Sequence, residues 1–320
     1  MTEPNSGPIF AIVNPMSGGG RTGRDWPEIQ KLLETNLGPV TALFTDSSAT
    51  PIHLPAANLA KQAADQNASL VIAVGGDGTI NETINGLMTG TLDGKAAAPL
   101  ALLNAGTGGD FRKTFDLPAD FQGCIQRLST GKTQTIDIGQ LSFQTDAGEP
   151  VTRHFNNIAS FGISGAVDRA VNNASISKLF GGSFAYQWAI LKTALSYRPQ
   201  PVRIRTDSGF DEIINVGTAA VANGRFFGGG MMMAPGAEPD DAQFDLVIMR
   251  DTTIGELFGG AGSIQDGTHI EGEKVEVIRA KWIEAEPITS EAVLLDIDGE
   301  APGKLPARFN ILPAALTLRI

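Results

Sequence analysis

The chain is poor in cysteine and histidine: among 320 residues it has one cysteine, Cys124, and three histidines. A single cysteine excludes an intramolecular disulfide, and neither residue type forms the clusters that hold zinc or an iron–sulfur centre. No apolar run reaches the roughly 18 residues that a bilayer-spanning helix requires, and no charged and apolar signal segment opens the sequence. We therefore expect a cytoplasmic protein, neither exported nor membrane-spanning.

Positive charge is also scarce. The sequence has 24 lysines and arginines against 35 aspartates and glutamates, a formal net charge of −11. Nucleic-acid-binding proteins need a positive surface to displace counterions from phosphates, so this balance argues against DNA or RNA as a partner. It also disfavours tight electrostatic docking on an anionic bilayer, and any membrane contact is expected to be transient.

In the first half of the chain, short apolar runs alternate with glycine-rich turns and helix-like stretches. The runs Ile9–Val13, Leu70–Val74 and Leu100–Leu103 lead into the turns NPMSGGG, GGDGT and NAGTGGDF. This alternation predicts a doubly wound parallel sheet with helices on both faces. Because ligands of such sheets bind beyond the carboxyl ends of the strands, we expect the three turns to share one site.

The second half of the chain, from about Ile136, has a different pattern. Runs such as VRIR, KVEVIRAKWIEAE and ALTLRI alternate apolar and polar residues, which predicts half-buried antiparallel strands. We place a boundary near Gly139, giving an α/β domain at 1–138 and a β-rich domain at 139–320. Between Ser177 and Tyr197, apolar residues at helical spacing predict one long helix.

The turn GGDGT carries the strongest chemical signal. Gly75 and Gly76 let backbone N–H groups approach a polyphosphate, while Asp77 stands at a strand end. The structural alternative is that the glycines only shape a tight turn and that Asp77 or Thr79 caps the next helix. The other turns add a hydroxyl at Ser17 and a carboxylate at Asp110, so two carboxylates could face one magnesium ion.

The motifs, in order along the chain, resemble the diacylglycerol kinase catalytic family, which also holds sphingosine, ceramide and bacterial lipid kinases. The matching strings are NP-x-SG-x-G, GGDGT-x-NE-x-x-NG, GT-x-x-DF, GGGMMMAPGAEPDDAQFDLVI and DGE. GGDGT alone is less specific, because nucleotide-cofactor kinases and phosphofructokinases also carry it. The resemblance implies an α/β nucleotide-binding domain, a sandwich-like β-rich domain and an active site in the cleft between them.

The resemblance also implies roles for individual residues. Asp298 of DGE would be the catalytic base, with Glu300 beside it in the same site and Asp77 as a further catalytic residue. ATP would be bound by Asn14, Ser17, Gly18, Gly75, Gly76, Asp77, Gly78, Thr79, Gly106 and Thr107. A magnesium network would use Asp77, Asp110 and Asp137, and a separate structural metal site would use Asp240 and its neighbour Asp241.

From the residues themselves, the role of Asp298 makes chemical sense. A lipid hydroxyl needs a nearby carboxylate to take or orient its proton during phosphoryl transfer. The alternative is an ordinary Asp-Gly turn residue after the apolar strand Ala292–Leu295.

The chain departs from the family pattern at Gly109. The family usually has Asn-Asp-Phe-Ala-Arg, whereas this chain has Gly109-Asp110-Phe111-Arg112-Lys113. The asparagine amide, a polar contact near the phosphates, is therefore absent at this position. Arg112 and Lys113 are candidates to meet the phosphates instead.

The leading hypothesis is an ATP- and Mg²⁺-dependent lipid kinase with diacylglycerol as the first choice of acceptor; another glycerolipid or a sphingoid base stays open. One alternative is a kinase of a soluble acceptor such as NAD, which shares GGDGT and a following Asn-Glu pair, here Asn81 and Glu82. Another is a catalytically silent nucleotide- or lipid-binding regulator. The sequence also leaves a homodimer open.

A lipid substrate requires some face of the protein to touch the bilayer, peripherally at the inner membrane face. Lys192, Arg198, Arg203 and Arg205 lie near the end of the predicted long helix and are candidates for that face. A solvated basic patch is the simpler interpretation.

Overall fold

The computed structural model describes residues 7–46, 54–91, 93–106, 108–167, 169, 197–253, 256 and 261–320. Thr107, Lys192 and the long helix predicted between Ser177 and Tyr197, apart from Tyr197 itself, lie outside the described residues. The chain divides into two compact units: unit 1 is Met1–Ile138 with Leu312–Ile320, and unit 2 is Gly139–Ile311.

The elements are as follows. Helices are α1 (Ser17–Leu37), α2 (Pro55–Asp65), α3 (Asp77–Met88), α4 (Asp110–Thr114), α5 (Phe121–Ser129) and α6 (Ala261–Asp266), with a 3-10 helix at Thr268–Glu271. Strands are β1 (Ile9–Val13), β2 (Val40–Phe44), β3 (Leu70–Gly75), β4 (Leu100–Asn104), β5 (Thr133–Gln144), β6 (Pro150–Phe155), β7 (Ile158–Gly162), β8 (Gln200–Thr206), β9 (Asp211–Ala222), β10 (Phe226–Phe227), β11 (Met231–Met232), β12 (Phe244–Arg250), β13 (Val275–Ala280), β14 (Trp282–Pro287), β15 (Leu295–Ile297) and β16 (Lys304–Arg319).

Unit 1 contains the doubly wound parallel sheet that the sequence predicts. Its strands lie in the order β2–β1–β3–β4, all parallel. Along β1, Phe10 and Ile12 pack against α2 and α3, whereas Ala11 and Val13 pack against α1 and α5. Both faces are therefore covered by helices, which explains why these strands are apolar runs without polar alternation.

The order of these strands fixes where the loops of unit 1 meet. The chain goes from β1 outward to β2 and then back to β3 on the other side of β1. The crevice between the carboxyl ends of β1 and β3 is the place where ligands bind in such sheets. Within α1, Gly18, Gly19 and Gly20 have φ angles of 62°, 69° and 83°, so regular helix begins only after them.

Unit 2 is built mainly from antiparallel strands. The path β13–β12–β9–β8–β14–β16 is antiparallel throughout, and β7 pairs with both β9 and β15. Along β8, buried and half-buried residues alternate, as the period of two in VRIR predicts. Phe155 and Phe244 stack at 5.5 Å between ring centroids in the core of this unit.

One strand prediction is wrong. The final run ALTLRI was expected to be an antiparallel strand. Instead Leu318 and Arg319 pair in parallel with Leu100 and Ala101 of β4, and the segment Leu312–Ile320 belongs to unit 1. Alternation of apolar residues does not report strand direction, because both kinds of strand repeat every two residues.

Candidate active site

The three glycine turns of unit 1 contact one another. The backbone N–H of Ala105 donates to Gly75 O at 2.7 Å, and Asn14 Nδ2 donates to Thr79 Oγ1 at 3.2 Å. A Cβ atom on Gly18 would lie 2.8 Å from Ala105 O, so the first and third turns are also in contact. We call this group the turn cluster: residues 14–20, 75–79, 104–106 and 108–110.

Gly106 and Gly78 of the turn cluster differ in the space around them. A Cβ on Gly106 would lie 2.7 Å from Gly76 Cα, closer than the 3.0 Å that real Cβ atoms essentially never cross. Packing between the second and third turns therefore requires glycine at 106. At Gly78, by contrast, a Cβ would meet no described atom within 4 Å. The first turn of α3 is thus open to a ligand, with backbone N–H groups at a helix N-terminus.

Asp77, the first residue of α3, is only half satisfied. Its Oδ2 accepts from the N–H of Gly109 at 2.8 Å and of Asp110 at 3.4 Å. Its Oδ1 is buried and has no hydrogen-bond partner among the described residues. A buried polar atom without a partner costs about 1–3 kcal/mol, so this oxygen is explained best by a group that binds there.

The electrostatics of Asp77 indicate what kind of group that is. Burial, and then the nearby Asp110 carboxylate, raise the pKa of Asp77 above its ordinary value of 3.8, while backbone N–H donors oppose the rise. A cation beside Oδ1 would compensate both the buried charge and the unpaired oxygen. Mg²⁺ is commonly held by one or two carboxylates, water and substrate phosphates. Asp77 therefore fits a magnesium ion.

The other acids assigned to magnesium have protein partners. Asp110 Oδ1 forms an ion pair with Lys113 Nζ at 2.7 Å. Asp137 is 2% exposed, and its Oδ1 accepts from the Ala314 N–H at 2.7 Å. Within the described ranges, no three Asp, Glu, His or Cys side chains form a metal-binding group. A magnesium ion at Asp77 would take most of its ligands from water and nucleotide, and roles for Asp110 and Asp137 stay predictions.

The basic pair after Gly109 is engaged locally. Arg112 Nη1 donates to Leu117 O at 2.8 Å, and Lys113 pairs with Asp110. Lys113 and one end of Arg112 thus have protein partners, whereas Arg112 Nε is buried and has none among the described residues. A role for Arg112 at the phosphates stays a prediction.

The DGE motif of unit 2 forms a tight turn. The N–H of Ile297 donates to Glu300 O at 2.8 Å, and the N–H of Glu300 donates to Ile297 O at 3.0 Å. Asp298 and Gly299 between them have φ angles of 48° and 90°. Positive φ at both central residues is what a type I′ turn requires, and Asp-Gly is a preferred pair for it. The turn by itself thus accounts for the backbone.

It does not account for the Asp298 side chain, which is held by three backbone donors from the segment 156–158, at the start of β7. Its Oδ1 accepts from the N–H of Ile158 at 2.9 Å and of Asn157 at 3.3 Å, and its Oδ2 accepts from the N–H of Asn156 at 3.1 Å. A carboxylate fixed on both oxygens has a defined position and orientation. A fixed carboxylate meets the positional requirement of a catalytic base, and that role of Asp298 stays a prediction.

Arg153, Asp296 and Ser160, which lie around DGE, were not predicted from the sequence. Glu300 Oε2 forms an ion pair with Arg153 Nη1 at 2.8 Å. Asp296, 3% exposed, accepts from Ser160 Oγ at 3.0 Å and from the Gly299 N–H at 2.8 Å. The available signal was Asp296 itself, because a charged residue inside an apolar strand needs a partner. Its partner, far away in sequence, could not be identified.

The acidic segment assigned to a structural metal already has a positive partner. Arg279 forms an ion pair with Asp241 and another, at 3.3 Å, with Asp245. The charge of this segment is thus matched by a guanidinium, and the metal role of Asp240 stays a prediction.

Two of the three arginines proposed for a bilayer contact, Arg203 and Arg205, form ion pairs. Arg203 donates from Nε and Nη2 to both carboxylate oxygens of Asp211 at 2.8 Å, and Arg205 pairs with Glu286 at 2.9 Å. These contacts favour the solvated-patch interpretation. None of the helices in the described part of the chain combines the length and apolarity that crossing a membrane would require.

The Asn-Glu pair behind GGDGT has a structural contact of its own. Glu82 Oε2 accepts from the Ala56 N–H at 2.8 Å, in the first turn of α2. Capping of a neighbouring helix gives Glu82 a structural role. The pair is therefore no specific sign of a soluble dinucleotide acceptor.

Comparisons with known proteins cover both units. Residues 8–141 match the family model described as the diacylglycerol kinase catalytic domain, and residues 157–320 match the YegS C-terminal NAD kinase beta sandwich-like domain. A Bacillus subtilis protein named diacylglycerol kinase is 31% identical over 306 residues, 93% of this chain and 91% of the relative. A Mycobacterium tuberculosis protein of the same name is 27% identical over 311 residues, 97% of this chain and 94% of the relative.

Solved structures agree on the fold. A crystal structure of a diacylglycerol kinase from Bacillus anthracis superposes with a TM-score of 0.71 at 20% identity, covering 100% of this chain and 98% of the other. Yeast NADH kinase complexed with NADH is more distant, with a TM-score of 0.52 at 12% identity, covering 97% of this chain and 79% of the other.

Proposed function

Because this chain belongs to the diacylglycerol kinase family, we propose that it transfers the terminal phosphoryl group of ATP to a hydroxyl of diacylglycerol or a related lipid. Membership of a kinase family makes the protein a phosphotransferase. The nucleotide, the metal and the lipid acceptor are the proposed parts.

The observation that carries the proposal is the unpaired Oδ1 of Asp77 in the turn cluster. It lies where doubly wound sheets bind ligands, beside backbone N–H groups that can bind phosphate. Asn14, Thr79 and the glycines of the cluster would hold the phosphates of ATP. Mg²⁺ bound at Asp77 Oδ1 would neutralise phosphate charge as the transition state develops.

Asp298 would act as the base of the reaction. The acceptor hydroxyl oxygen bonds to the γ-phosphorus while the bond from that phosphorus to the bridging oxygen of ADP breaks. The hydroxyl proton passes to the Asp298 carboxylate, and ADP leaves. Three backbone donors fix the carboxylate, so no conformational freedom has to be lost in the transfer.

A lipid acceptor is supported by two relatives named diacylglycerol kinase that match over nine-tenths of this chain. Such an acceptor requires transient contact with a bilayer or micelle. The resemblance to yeast NADH kinase shows the fold alone and does not favour a soluble acceptor.

The test is a transfer assay with γ-labelled ATP and Mg²⁺. The full chain is incubated with dioleoylglycerol in mixed micelles, with sphingosine in the same micelles, and with NAD without detergent, and products are identified by mass. We expect phosphatidic acid. Turnover of NAD alone would reverse the assignment of the acceptor. Protein that binds ATP but releases no ADP above background with any acceptor would instead be a regulator.

A further inference from the structure

Asn104 occupies the space that a side chain at position 109 would need. Gly109 has a φ of 63°, in the left-handed region. A Cβ on Gly109 would lie 2.5 Å from Asn104 Nδ2 and 2.8 Å from Arg112 Nε. The position that departs from the family sequence is therefore filled by a carboxamide from the end of β4.

The Asn104 carboxamide is only partly used by the protein. In the orientation that the structure gives this amide, Nδ2 faces Gly106 O at 3.4 Å, a long contact, and the other amide atom is the oxygen. That oxygen, Oδ1, is buried and has no hydrogen-bond partner among the described residues. It lies 3.7 Å from the place of a Cβ on Gly106, where the second and third turns meet. A residue present only to fill space would not need an unpaired oxygen there.

Asp77 Oδ1 is a second buried and unpaired acceptor in the same turn cluster. The two side chains are linked through Gly109, whose N–H donates to Asp77 Oδ2. Unpaired acceptors are matched by hydrogen-bond donors or by a cation. A nucleotide with its hydrated divalent cation offers both, through metal-bound water and ribose hydroxyls.

We propose that Asn104 is a nucleotide-positioning residue, whose Oδ1 accepts a hydrogen bond from the bound magnesium–nucleotide complex. This inference rests on the proposed nucleotide site in unit 1. In this chain, the carboxamide of Asn104 would take the role of the asparagine that the family usually has at position 109.

The test measures binding of ADP, with and without Mg²⁺, to the full chain by calorimetry. Asn104→Leu keeps the volume and removes the amide. We expect it to weaken magnesium–ADP binding about tenfold, the value of one hydrogen bond to a ligand, while the melting temperature stays level or rises. A purely structural asparagine predicts a changed melting temperature with unchanged affinity.

Moving the asparagine from position 104 to position 109 gives a second test, which does not depend on Asn104→Leu alone. Asn104→Ala is expected to lose affinity, and Gly109→Asn alone to disturb the cluster, because its Cβ meets Asn104 Nδ2. The double variant Asn104→Ala with Gly109→Asn restores an amide and removes the contact with Asn104, while the Arg112 side chain, whose Nε would lie 2.8 Å from the new Cβ, has to shift. Recovery of affinity to within about threefold of the original is the result that supports the inference.

The outcomes separate this inference from the proposed function. Original protein that binds magnesium–ADP, with Asn104→Leu and Asn104→Ala binding it equally well, rejects the inference alone. Original protein that binds neither ADP nor ATP rejects the proposed function, and the inference with it.

Discussion

The carboxylates of Asp77 and Asp298 are held in opposite ways. Asp77 has one oxygen bound to backbone N–H groups and one buried oxygen without a partner among the described residues, whereas three backbone N–H groups hold both oxygens of Asp298. Asp298 is positioned by the fold before anything binds. Asp77 keeps one oxygen without a hydrogen-bond partner among the described residues, and this lowers the stability of the folded protein when no ligand is bound.

The contrast teaches what a local sequence motif can hide. Both aspartates stand next to glycine in a tight turn, and both have the turn-residue interpretation as a simple alternative. Contacts from distant segments, Gly109 for one and Asn156–Ile158 for the other, decide what each side chain does. The same chemical change, aspartate to asparagine, therefore tests the two sites against each other.

The largest expected effect is on turnover. If Asp298 takes the acceptor proton, Asp298→Asn lowers kcat by about 10²–10⁴-fold, the range of general-base catalysis, while affinity for magnesium–ADP stays near the original. The measurement is the micelle assay together with calorimetry. Retention of more than a tenth of the turnover would mean that the three backbone donors hold a structural turn and not a base.

The second prediction concerns the free energy of unfolding of the same variant. Asparagine at 298 replaces one carboxylate oxygen by an NH₂ group that faces a backbone N–H, so one donor loses its acceptor. We expect a loss of about 1–3 kcal/mol in denaturant unfolding. The left-handed φ of 48° does not add to it, since asparagine tolerates that region. Unchanged stability would indicate that the three contacts contribute little.

A glycine pair tests the rigidity of the cluster around Asp77. Gly106→Ala places a Cβ 2.7 Å from Gly76 Cα, so we expect a loss of about 1–3 kcal/mol in stability. Gly78→Ala is the matched control, because its Cβ meets no described atom; it is expected to keep stability and to weaken ATP binding. Equal stability losses in both would show that the first turn of α3 is not open.

Much of the fold could be predicted from the sequence, because apolar runs and glycine turns are local signals. The runs at β1, β3 and β4 and the sheet they form were predicted in this way. The direction of the final strand was not, since Leu318 pairs with Leu100 through contacts that no local pattern reports.

The candidate site was predictable only in part. Asp77 and Asp298 could be identified from motifs, whereas the side chains that pack around them could not. Ser160 reaches Asp296 across 136 positions of sequence, and Asn104 fills the space of residue 109 only because the turn folds back on the end of β4. Such contacts depend on tertiary structure, which spacing along the chain does not encode.

The smallest expected effect is a gain of stability in Asp77→Asn, measured without nucleotide or magnesium. The folded pKa of Asp77 lies above the unfolded value of 3.8, so the folded state binds more protons between these values. Its contribution to stability is thus fully present below the unfolded pKa and is lost as pH rises through the folded pKa.

Asparagine does not titrate and keeps the contact from Gly109. The melting temperature of the variant minus that of the original is expected to be smallest below the unfolded pKa and to increase as pH rises toward neutral. The same series on Asp298→Asn gives a matched control, because that variant is expected to melt lower than the original near neutral pH. If both variants melted higher than the original protein, or both melted lower, the proposed contrast would be wrong: Asp77 with an unpaired oxygen would not differ in stability from Asp298 with both oxygens bound.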